Sequence, residues 1–363
     1  MEGRVDHRAL KGFVTRVLVK MGVPEEDAEV TADVLVAADL RGIDSHGVAR
    51  TRRYVNGLHD GVMLARPDIQ IVHETPATAL VDGGAGLGQV VGVKAMRLAI
   101  EKASNTGLGF VAVRNSNHYG IAGYYSMMAL EHDLVGVSMT NAAVLVVPTF
   151  GRDAVLGTNP MSIAVPTGKE RPFVLDMATS VVTRGKLEEY ERLEKPLLLG
   201  WATDSRGVPT DDAGDVLRNL KDRFGGGILP LGGAAEEAGG HKGYGLALLV
   251  DILCGVLPGA AYASGVYPKD ETGKPLPSNI GHFLGAVRVD AFRPVDEFKA
   301  SMDDIVQILR GSAKAEGQER IFIHGEKEFE VADERMRQGI PLNPKVAKDL
   351  QEIGKELGIP YDL

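Results

Sequence analysis

Cysteine is nearly absent from this sequence of 363 residues, in which Cys254 is the only one. A single thiol excludes an internal disulfide framework and a cysteine-based zinc site. Long apolar runs are also missing, since the longest, residues 244–257, is interrupted by Asp251 and shorter than the ~20 residues of a membrane span. The charged N-terminal residues do not resemble a signal peptide. We therefore expect a cytoplasmic protein with no membrane association.

Positive charge is the scarcer sign, with 40 Lys and Arg residues against 49 Asp and Glu residues and a net charge of −9. This balance argues against nucleic-acid binding, which depends on neutralising phosphates with Lys and Arg. It leaves room for a small anionic ligand held by a few local cations. Histidines with zinc-ligand spacing and serine-nucleophile motifs are absent too, so neither a metal site nor a serine hydrolase is predicted.

Helix patterns occupy both ends of the chain, and a mixed pattern lies between them. Two N-terminal helices are predicted, the second ending near Leu40, and a third is predicted from a cap at Asp44 or Ser45 to about His59. Pro344 opens a C-terminal helix. From residue 66 onward, short β-branched runs alternate with helix patterns, which indicates α/β architecture in two or three domains.

A glycine cluster follows an early strand pattern. Gly86, Gly88 and Gly92 lead into a helix pattern, with a spacing close to the fingerprint that binds a dinucleotide pyrophosphate at a helix N-terminus. That fingerprint also needs an acidic residue at the end of the next strand, where this chain has Arg114 and Asn115. The residues favour a tight strand-to-helix turn. A cofactor site in which the arginine meets the 2′-phosphate of NADP is the functional alternative.

The segment 44-DSHGVARTRRY-54 carries the most specific local pattern. In a helix that starts at Ser45, the side chains of His46, Arg50 and Tyr54 lie one turn apart on one face. Arginine binds a substrate carboxylate through two parallel hydrogen bonds, and imidazole exchanges a proton with a neighbouring hydroxyl or carbonyl group. These residues predict a 2-hydroxy-acid or 2-oxo-acid site, with a solvated polar helix face as the structural alternative.

A second histidine, His118, follows the strand predicted over residues 109–116. The carboxyl end of a strand is where α/β proteins place their ligands. Asn117 and Tyr119 could orient the imidazole, while Gly120 leaves room for a substrate. A histidine in a solvated turn is the alternative.

Two further segments could bind an anion or a ribose. Lys242 lies among glycines at the start of an apolar helix pattern, which predicts an anion site built from backbone N–H groups and an ammonium. A flexible loop and a Schiff-base lysine for pyridoxal phosphate are its alternatives. Asp176 ends a predicted strand and suits ribose hydroxyls, although a carboxylate that only caps the next helix explains it equally well.

Seven motifs in order extend over nearly the whole chain, which resembles the malate/L-lactate dehydrogenase family and in particular its archaeal malate dehydrogenases. The motifs are ADLRGIDSHGVAR, SNHYGIAGYY, GTNPMSIAVP, FVLDMATS, PLGG, HKGYGLALLVDIL and IHGE. The resemblance implies an α/β, non-Rossmann fold that binds NAD or NADP, with a helical N-terminal segment packed with the C-terminal helix. It also makes the glycine cluster structural.

The resemblance further implies a division of the chain and a set of contacts. Residues 1–75 with 330–363 form a helical domain, residues 76–125 with 258–329 an α/β domain, and residues 126–257 the NAD(P)-binding domain. Substrate contacts Ser45, His46, Arg50 and Tyr54, with His118 close by. The implied cofactor contacts are Leu175, Asp176, Met177, Ala178, Thr179, Ser180, Lys242, Gly243, His324, Gly325 and Glu326, the last three in a turn after a strand at residues 320–323.

The implied reaction is hydride transfer between NAD(P)H and a 2-oxo or 2-hydroxy acid, in a homodimer. Arg50 would bind the substrate carboxylate, and His118 or His46 would pass the proton, a choice that the sequence leaves open. Malate and oxaloacetate are the favoured pair, because Arg52 or Arg53 could bind a second carboxylate.

Several alternatives remain open. Lactate, sulfolactate or a cyclic imine would use the same residues in the same roles. Ureidoglycolate is disfavoured, because Ala142 and Ala143 stand where ureidoglycolate dehydrogenases carry Ser-Asp. A pyridoxal-phosphate enzyme that uses Lys242, or an anion-binding protein without catalysis, would belong to a different class.

Overall fold

The computed structural model describes residues 3–363, which fold into two β-sheets, a terminal strand pair and surrounding helices. The α-helices are α1 His7–Lys20, α2 Glu25–Leu40, α3 Thr51–His59, α4 Gly88–Thr106, α5 Ala122–Met128, α6 Arg184–Arg192, α7 Ala213–Asp222, α8 Gly240–Asp251, α9 Val295–Gly311, α10 Glu326–Gln338 and α11 Pro344–Leu357. The strands are β1 Arg4–Val5, β2 Gln70–Glu74, β3 Thr78–Asp82, β4 Leu108–Ser116, β5 Leu134–Thr140, β6 Val144–Val146, β7 Leu156–Gly157, β8 Met161–Val165, β9 Phe173–Met177, β10 Ala202–Thr203, β11 Gly227–Ile228, β12 Ile280–Arg288 and β13 Ile340–Pro341.

The central sheet has seven strands in the order β2-β3-β4-β12-β5-β8-β9. Only β3 and β4 pair in parallel, and every other neighbouring pair is antiparallel. A Rossmann domain has a mostly parallel, doubly wound sheet, so this mixed sheet is a different α/β fold. The predicted non-Rossmann α/β class is confirmed. Because β12 lies between β4 and β5, residues far apart in sequence meet at one end of the sheet.

The N-terminal helices and the last helix share one apolar core. Asp6 caps α1 by accepting hydrogen bonds from the backbone N–H groups of Arg8 and Ala9, as its position in the sequence predicts. Phe13 of α1 and Ile353 of α11 are both fully buried in this core. The predicted packing of the helical N-terminal segment with the C-terminal helix is therefore confirmed.

A smaller sheet, in the order β10-β11-β6-β7, lies within residues 126–257 and is covered by α6, α7 and α8. Its core contains Leu187, Val216 and Ile228, each fully buried. The seven-stranded sheet, in contrast, takes strands from all three of the predicted domains. The division of the chain into those three domains remains a prediction.

The helix predicted from Ser45 to His59 is wrong over its first half. Two short 3-10 turns, Asp44–His46 and Val48–Arg50, precede α3. The reason is tertiary, because the buried carboxylate of Asp39 accepts a hydrogen bond from the backbone N–H of Val48 at 2.8 Å. A Cβ on Gly47 would lie 1.9 Å from that carboxylate, so only glycine lets the chain turn around it.

Two other predictions have clear outcomes. Residues 320–323 form no strand. The backbone contact of this region with β9 is a hydrogen bond from the N–H of Val174 to the carbonyl of His324. The glycine cluster is structural. A Cβ on Gly88 would lie 2.1 Å from the carbonyl oxygen of Asn117, and a Cβ on Gly92 would lie 2.6 Å from the ring of Tyr125.

Candidate active site

One cavity of about 440 Å³ collects most of the predicted substrate residues. It is lined by the 3-10 turns that carry His46 and Arg50, by His118 in the turn after β4, and by the end of β5. Two later segments close it, the start of α6 and a loop that carries Tyr267. Two small residues, Ala142 and Ala143, also line this cavity.

His118 is held by a buried tyrosine. The hydroxyl of Tyr54 lies 2.7 Å from His118 Nδ1, and Tyr54 itself is fully buried. Burial raises the pKa of the Tyr54 hydroxyl to about 12, so the group stays protonated over the working pH range. Tyr54 therefore touches the histidine rather than lining the cavity, and it leaves Nε2 of His118 for a ligand.

His46 lies beside His118, and its hydrogen-bond partner is an exposed serine instead of a buried tyrosine. The two imidazole rings stack with centroids 5.6 Å apart, and His46 Nδ1 is 2.9 Å from the hydroxyl of the exposed Ser45. Burial, followed by the charges of Arg50 and Arg53, lowers the pKa of His46 to about 4. The same causes hold the pKa of His118 well below its ordinary value. At both positions the surroundings favour the neutral imidazole.

Arg50 presents its terminal nitrogens to the cavity. Its Nε donates to the backbone carbonyl of Ser45 at 2.6 Å, which fixes the guanidinium plane. Within residues 3–363 this guanidinium forms no ion pair. Two parallel N–H groups remain free, which is the geometry that a carboxylate accepts.

The structure shows which of two neighbouring arginines, Arg52 and Arg53, lines the cavity, a choice that the sequence left open. Arg52 leaves the cavity and pairs with Asp349 at 2.8 Å and with Glu356 on α11. Arg53 lines the cavity, where its guanidinium donates to the hydroxyl of Tyr267 and lies 5.1 Å from the centre of that ring. Arg53 thus adds a second guanidinium to the cavity.

Several lining residues were not predicted from the sequence, among them Tyr267 and Arg184. Tyr267 is in a loop and has φ of 59°, a left-handed conformation that is unusual for a bulky residue and often marks a functional site. Arg184, at the start of α6, pairs with Glu188 at 2.8 Å, and both line the cavity. Neither has a local sequence signal, because each reaches the cavity only through the tertiary fold.

A second cavity, of about 360 Å³, is lined by most of the cofactor residues predicted in segments 175–180 and 324–326. Leu175, Asp176 and Met177 at the end of β9 face His324 and Gly325 across it.

Asp176 anchors this second cavity to the rest of the site. Its carboxylate accepts a hydrogen bond from the backbone N–H of Gly123 at 2.8 Å, on the helix that follows His118. Burial raises the pKa of Asp176 to about 6. Cations are also present, since Arg41 and Lys327 line the same cavity.

The remaining predicted cofactor residues have other surroundings. Thr179 is fully buried and its hydroxyl lies 3.1 Å from two backbone carbonyls, while Ala178 and Ser180 lie beside it and line neither cavity. Glu326 is buried, accepts from the N–H of Ile323 and pairs with Arg310. This carboxylate is satisfied within the chain.

Lys242 and Gly243 also lie apart from the two cavities. Lys242 is exposed in the first turn of α8, and Gly243 packs against Leu231, whose carbonyl oxygen would lie 2.1 Å from an added Cβ. A Schiff-base lysine is usually desolvated, so this position does not suit pyridoxal phosphate.

The cavity around His118 therefore combines a buried tyrosine–histidine pair with two guanidinium groups that form no ion pair within residues 3–363, and a second cavity has mixed charge. That combination defines an enzyme that acts on a small organic anion with proton transfer. A family model described as malate/L-lactate dehydrogenase matches residues 5–351. The chain belongs to the malate/L-lactate dehydrogenase family, and it is an NAD(P)-dependent oxidoreductase whose substrate is a small acid.

Several members of this family are similar to this chain over almost its full length. A malate dehydrogenase of Pyrococcus abyssi is 50% identical over 98% of this chain and 95% of its own. An L-sulfolactate dehydrogenase of Methanocaldococcus jannaschii is 42% identical over 96% of both chains. The solved malate dehydrogenase of Pyrococcus horikoshii OT3 is 47% identical, with a TM-score of 0.89 over 99% of this chain and 96% of that one. Within residues 3–363, no helix is long and apolar enough to cross a membrane.

Proposed function

We propose that this enzyme interconverts malate and oxaloacetate in the cytoplasm, with NAD or NADP as the hydride carrier. One observation carries the choice of substrate: Arg50 and Arg53 face the same cavity, and neither pairs with a carboxylate of residues 3–363. A dicarboxylate supplies one carboxylate for each guanidinium. Malate dehydrogenases of two Pyrococcus species are among the similar proteins, which supports the same substrate.

The second cavity has the chemistry that a dinucleotide needs. The Asp176 carboxylate suits ribose hydroxyls, Arg41 and Lys327 suit phosphate, and Ile43 with Phe322 offers apolar surface for a base. The bound nicotinamide would supply the hydride that reduces C2 of the oxo acid, while the carbonyl oxygen takes up one proton. The protein must therefore hold the acid and deliver that proton.

His118 is the proposed proton donor. Tyr54 holds Nδ1, so Nε2 is the nitrogen that faces the substrate oxygen. Burial, followed by the charges of Arg53, His46 and Arg50, lowers the pKa of His118. A dianionic substrate bound to the two guanidinium groups would offset those charges, raise the pKa of His118 and bring a proton into the site with the substrate.

Arg50 is the proposed ligand of the C1 carboxylate, and Arg53 of the distal one. Nε of Arg50 is occupied by the carbonyl of Ser45, so the carboxylate would bind end-on to its two terminal nitrogens. His46 then lies over the proton donor as a neutral ring that orients the substrate.

The test is the initial rate of nicotinamide oxidation with NADH and NADPH, each offered with oxaloacetate, pyruvate, 2-oxoglutarate, sulfopyruvate and a cyclic imine. We expect the highest kcat/KM with oxaloacetate. No oxidation of either cofactor with any of these acids would refute hydride transfer as proposed.

Sulfolactate is the second candidate, because a sulfonate offers Arg53 the same charge as a carboxylate and a sulfolactate dehydrogenase is 42% identical. A kcat/KM for sulfopyruvate above that for oxaloacetate would favour it.

We also propose a homodimer. An exposed apolar row runs along α8 and the π-helical segment Ile252–Val256 that continues it, and a second copy would cover this row. Its residues are Leu248, Leu249, Ile252, Val256 and Leu257. Sedimentation equilibrium of the wild type and of Leu249→Asp measures this directly. We expect a dimer for the wild type and dissociation of the variant, whereas a monomeric wild type would refute the proposal.

A further inference from the structure

A buried histidine outside the cavity joins three strands of the central sheet. His282 lies on β12 between β4 and β5 and is fully buried. Its Nδ1 is 2.7 Å from the hydroxyl of Thr140 at the end of β5. Its Nε2 is 2.8 Å from the hydroxyl of Ser116 at the end of β4. One imidazole thus spans the two strands that flank its own.

A β-bulge brings Ser116 to this histidine. Ile280 pairs with Ser116 and His282 pairs with Val113, so two steps along β12 oppose three steps along β4. Asn115 lies within this bulge and has a φ of 52°. Its backbone N–H donates to Asn279 Oδ1 at 2.8 Å. Bulges of this kind change the direction of a side chain and are frequent next to active sites.

The contacts of His282 all lead to the proposed active site. Thr140 and Tyr119 line the substrate cavity, and Ser116 is two residues before His118. The ring of His282 stacks flat on Tyr119, with centroids 4.5 Å apart and 7° between the planes.

The neighbouring acceptors favour one direction for these two hydrogen bonds. The hydroxyl of Thr140 has one proton and lies 3.0 Å from the carbonyl oxygen of Gly281, an acceptor that cannot donate. This favours the tautomer in which His282 Nδ1–H donates to Thr140 and the hydroxyl of Ser116 donates to Nε2. Burial lowers the pKa of His282 to about 3, so the ring is neutral and keeps one donor and one acceptor.

We infer that His282 is a positioning residue for hydride transfer. It sets the distance between His118 and the side of the cavity that the end of β5 forms. This inference rests on the proposed function. His282 touches neither substrate nor cofactor and acts through Ser116 and Thr140. A displacement of about 1 Å in a reacting group can lower a rate about 10²-fold.

The variants that test this inference distinguish the contact of His282 with Thr140 from its contact with Ser116. His282→Asn retains a polar group near Thr140, His282→Gln retains one near Ser116, and Thr140→Val and Ser116→Ala remove one hydroxyl each. The control is Phe283→Leu, the next residue on β12, whose ring stacks on Phe110 on the opposite face of the sheet.

Kinetics with oxaloacetate give the first readout. We expect the two His282 variants to lose about 10–100-fold in kcat, with KM nearly unchanged and the single-hydroxyl variants less affected. Phe283→Leu should lower the melting temperature and leave kcat unchanged. An equal loss of kcat in Phe283→Leu, or unchanged kcat in both His282 variants, would overturn the inference.

A second readout does not need turnover. In protein with ¹⁵N-labelled histidine, the His118 ring signals are assigned by their loss in His118→Gln. We expect Ser116→Ala and Thr140→Val to shift those signals and Phe283→Leu to leave them in place. Unshifted signals in both hydroxyl variants would overturn the inference. Shifted signals in an enzyme inactive with every acid would instead refute the proposed function alone.

Discussion

The substrate cavity and the cofactor cavity differ in how their charges are balanced. The first has three guanidinium groups, those of Arg50, Arg53 and Arg184, against the single carboxylate of Glu188. The second has two cations, Arg41 and Lys327, against the two carboxylates of Asp176 and Glu328. The first cavity therefore needs about two negative charges from its ligand, and the second needs none.

This difference indicates what each cavity can recognise. An excess of guanidinium groups in a partly buried space selects an anion. Burial lowers the pKa of His46 and of His118, and the guanidinium charges lower it further. A balanced set of charges with apolar surface suits a ligand that has hydroxyls, phosphates and rings together. The predictions below test this contrast, from the largest expected effect to the smallest.

The largest effect is expected at the proton donor. His118→Gln should lower kcat with oxaloacetate about 10²–10⁴-fold, the usual range for loss of a general acid. His46→Gln should cost less, because its partner is the exposed Ser45 and not a buried tyrosine. Steady-state kinetics of the two variants measures this, and a larger loss of kcat in His46→Gln would reverse the assignment.

The charge excess of the substrate cavity is tested at Arg53. Arg53→Gln should lower kcat/KM for oxaloacetate about 10–100-fold, because a hydrogen bond between charged groups contributes about 1.5–3 kcal/mol. Pyruvate has no distal carboxylate, so its kcat/KM should change little.

Arg52→Gln is the matched control for that variant, since Arg52 pairs with Asp349 and Glu356 away from the cavity. Equal losses in the two arginine variants, or an equal loss for pyruvate and oxaloacetate in Arg53→Gln, would remove Arg53 from the substrate site.

The cofactor cavity is tested at Asp176. Asp176→Asn should weaken NADH binding about tenfold through loss of a charged acceptor, with KM for oxaloacetate little changed. Fluorescence titration with NADH gives the Kd. Glu326→Gln is the control, because that carboxylate pairs with Arg310 and Arg320 and should affect stability alone. A greater loss of NADH affinity in Glu326→Gln would place the cofactor on the other side of the 324–326 turn.

The smallest effect is expected at the buried carboxyl group of Asp39, which lines neither cavity. Burial raises the pKa of Asp39 to about 8, and Asp44 adds to this while the N–H of Val48 and the charge of Arg335 oppose it. The folded chain then binds a proton here that the unfolded chain has lost, so this group makes the free energy of unfolding fall as pH rises from about 4 to about 8.

Asp39→Asn cannot titrate at this position. We expect its melting temperature to decline less than that of the wild type between pH 5 and 8.5, about the window of the raised pKa. Parallel melting curves across that range would mean that Asp39 ionises with an ordinary pKa.

Much of the secondary structure could be predicted from local signals. Asp6, which caps α1, and Pro344, which opens α11, act through their own neighbours in the chain, and both predictions are confirmed. The strand at 173–177 and the helix that ends at Leu40 are confirmed for the same reason. The helix from Ser45 failed because its start is decided by Asp39, whose buried carboxylate turns the chain at Gly47.

The candidate site divides in the same way. Arg50, His46 and His118 could be named from the sequence, because their residue types and motifs are informative by themselves. Arg53 and Arg52 could not be separated, since the difference between them is which one faces α11. His282 had no signal at all, because its partners Ser116 and Thr140 are more than a hundred residues away in sequence.

The sequence by itself determined the family, the α/β class, the order of most helices and strands and the chemical groups available for catalysis, because these depend on residue types and on short-range periodicity. Only the tertiary structure decided which groups share a cavity, which arginines stay unpaired and which histidine is fixed by a tyrosine. Those properties depend on β12 lying between β4 and β5 and on buried carboxylates that turn the chain. Hydrogen bonds and ion pairs act over a few ångströms in space, whatever the separation along the chain.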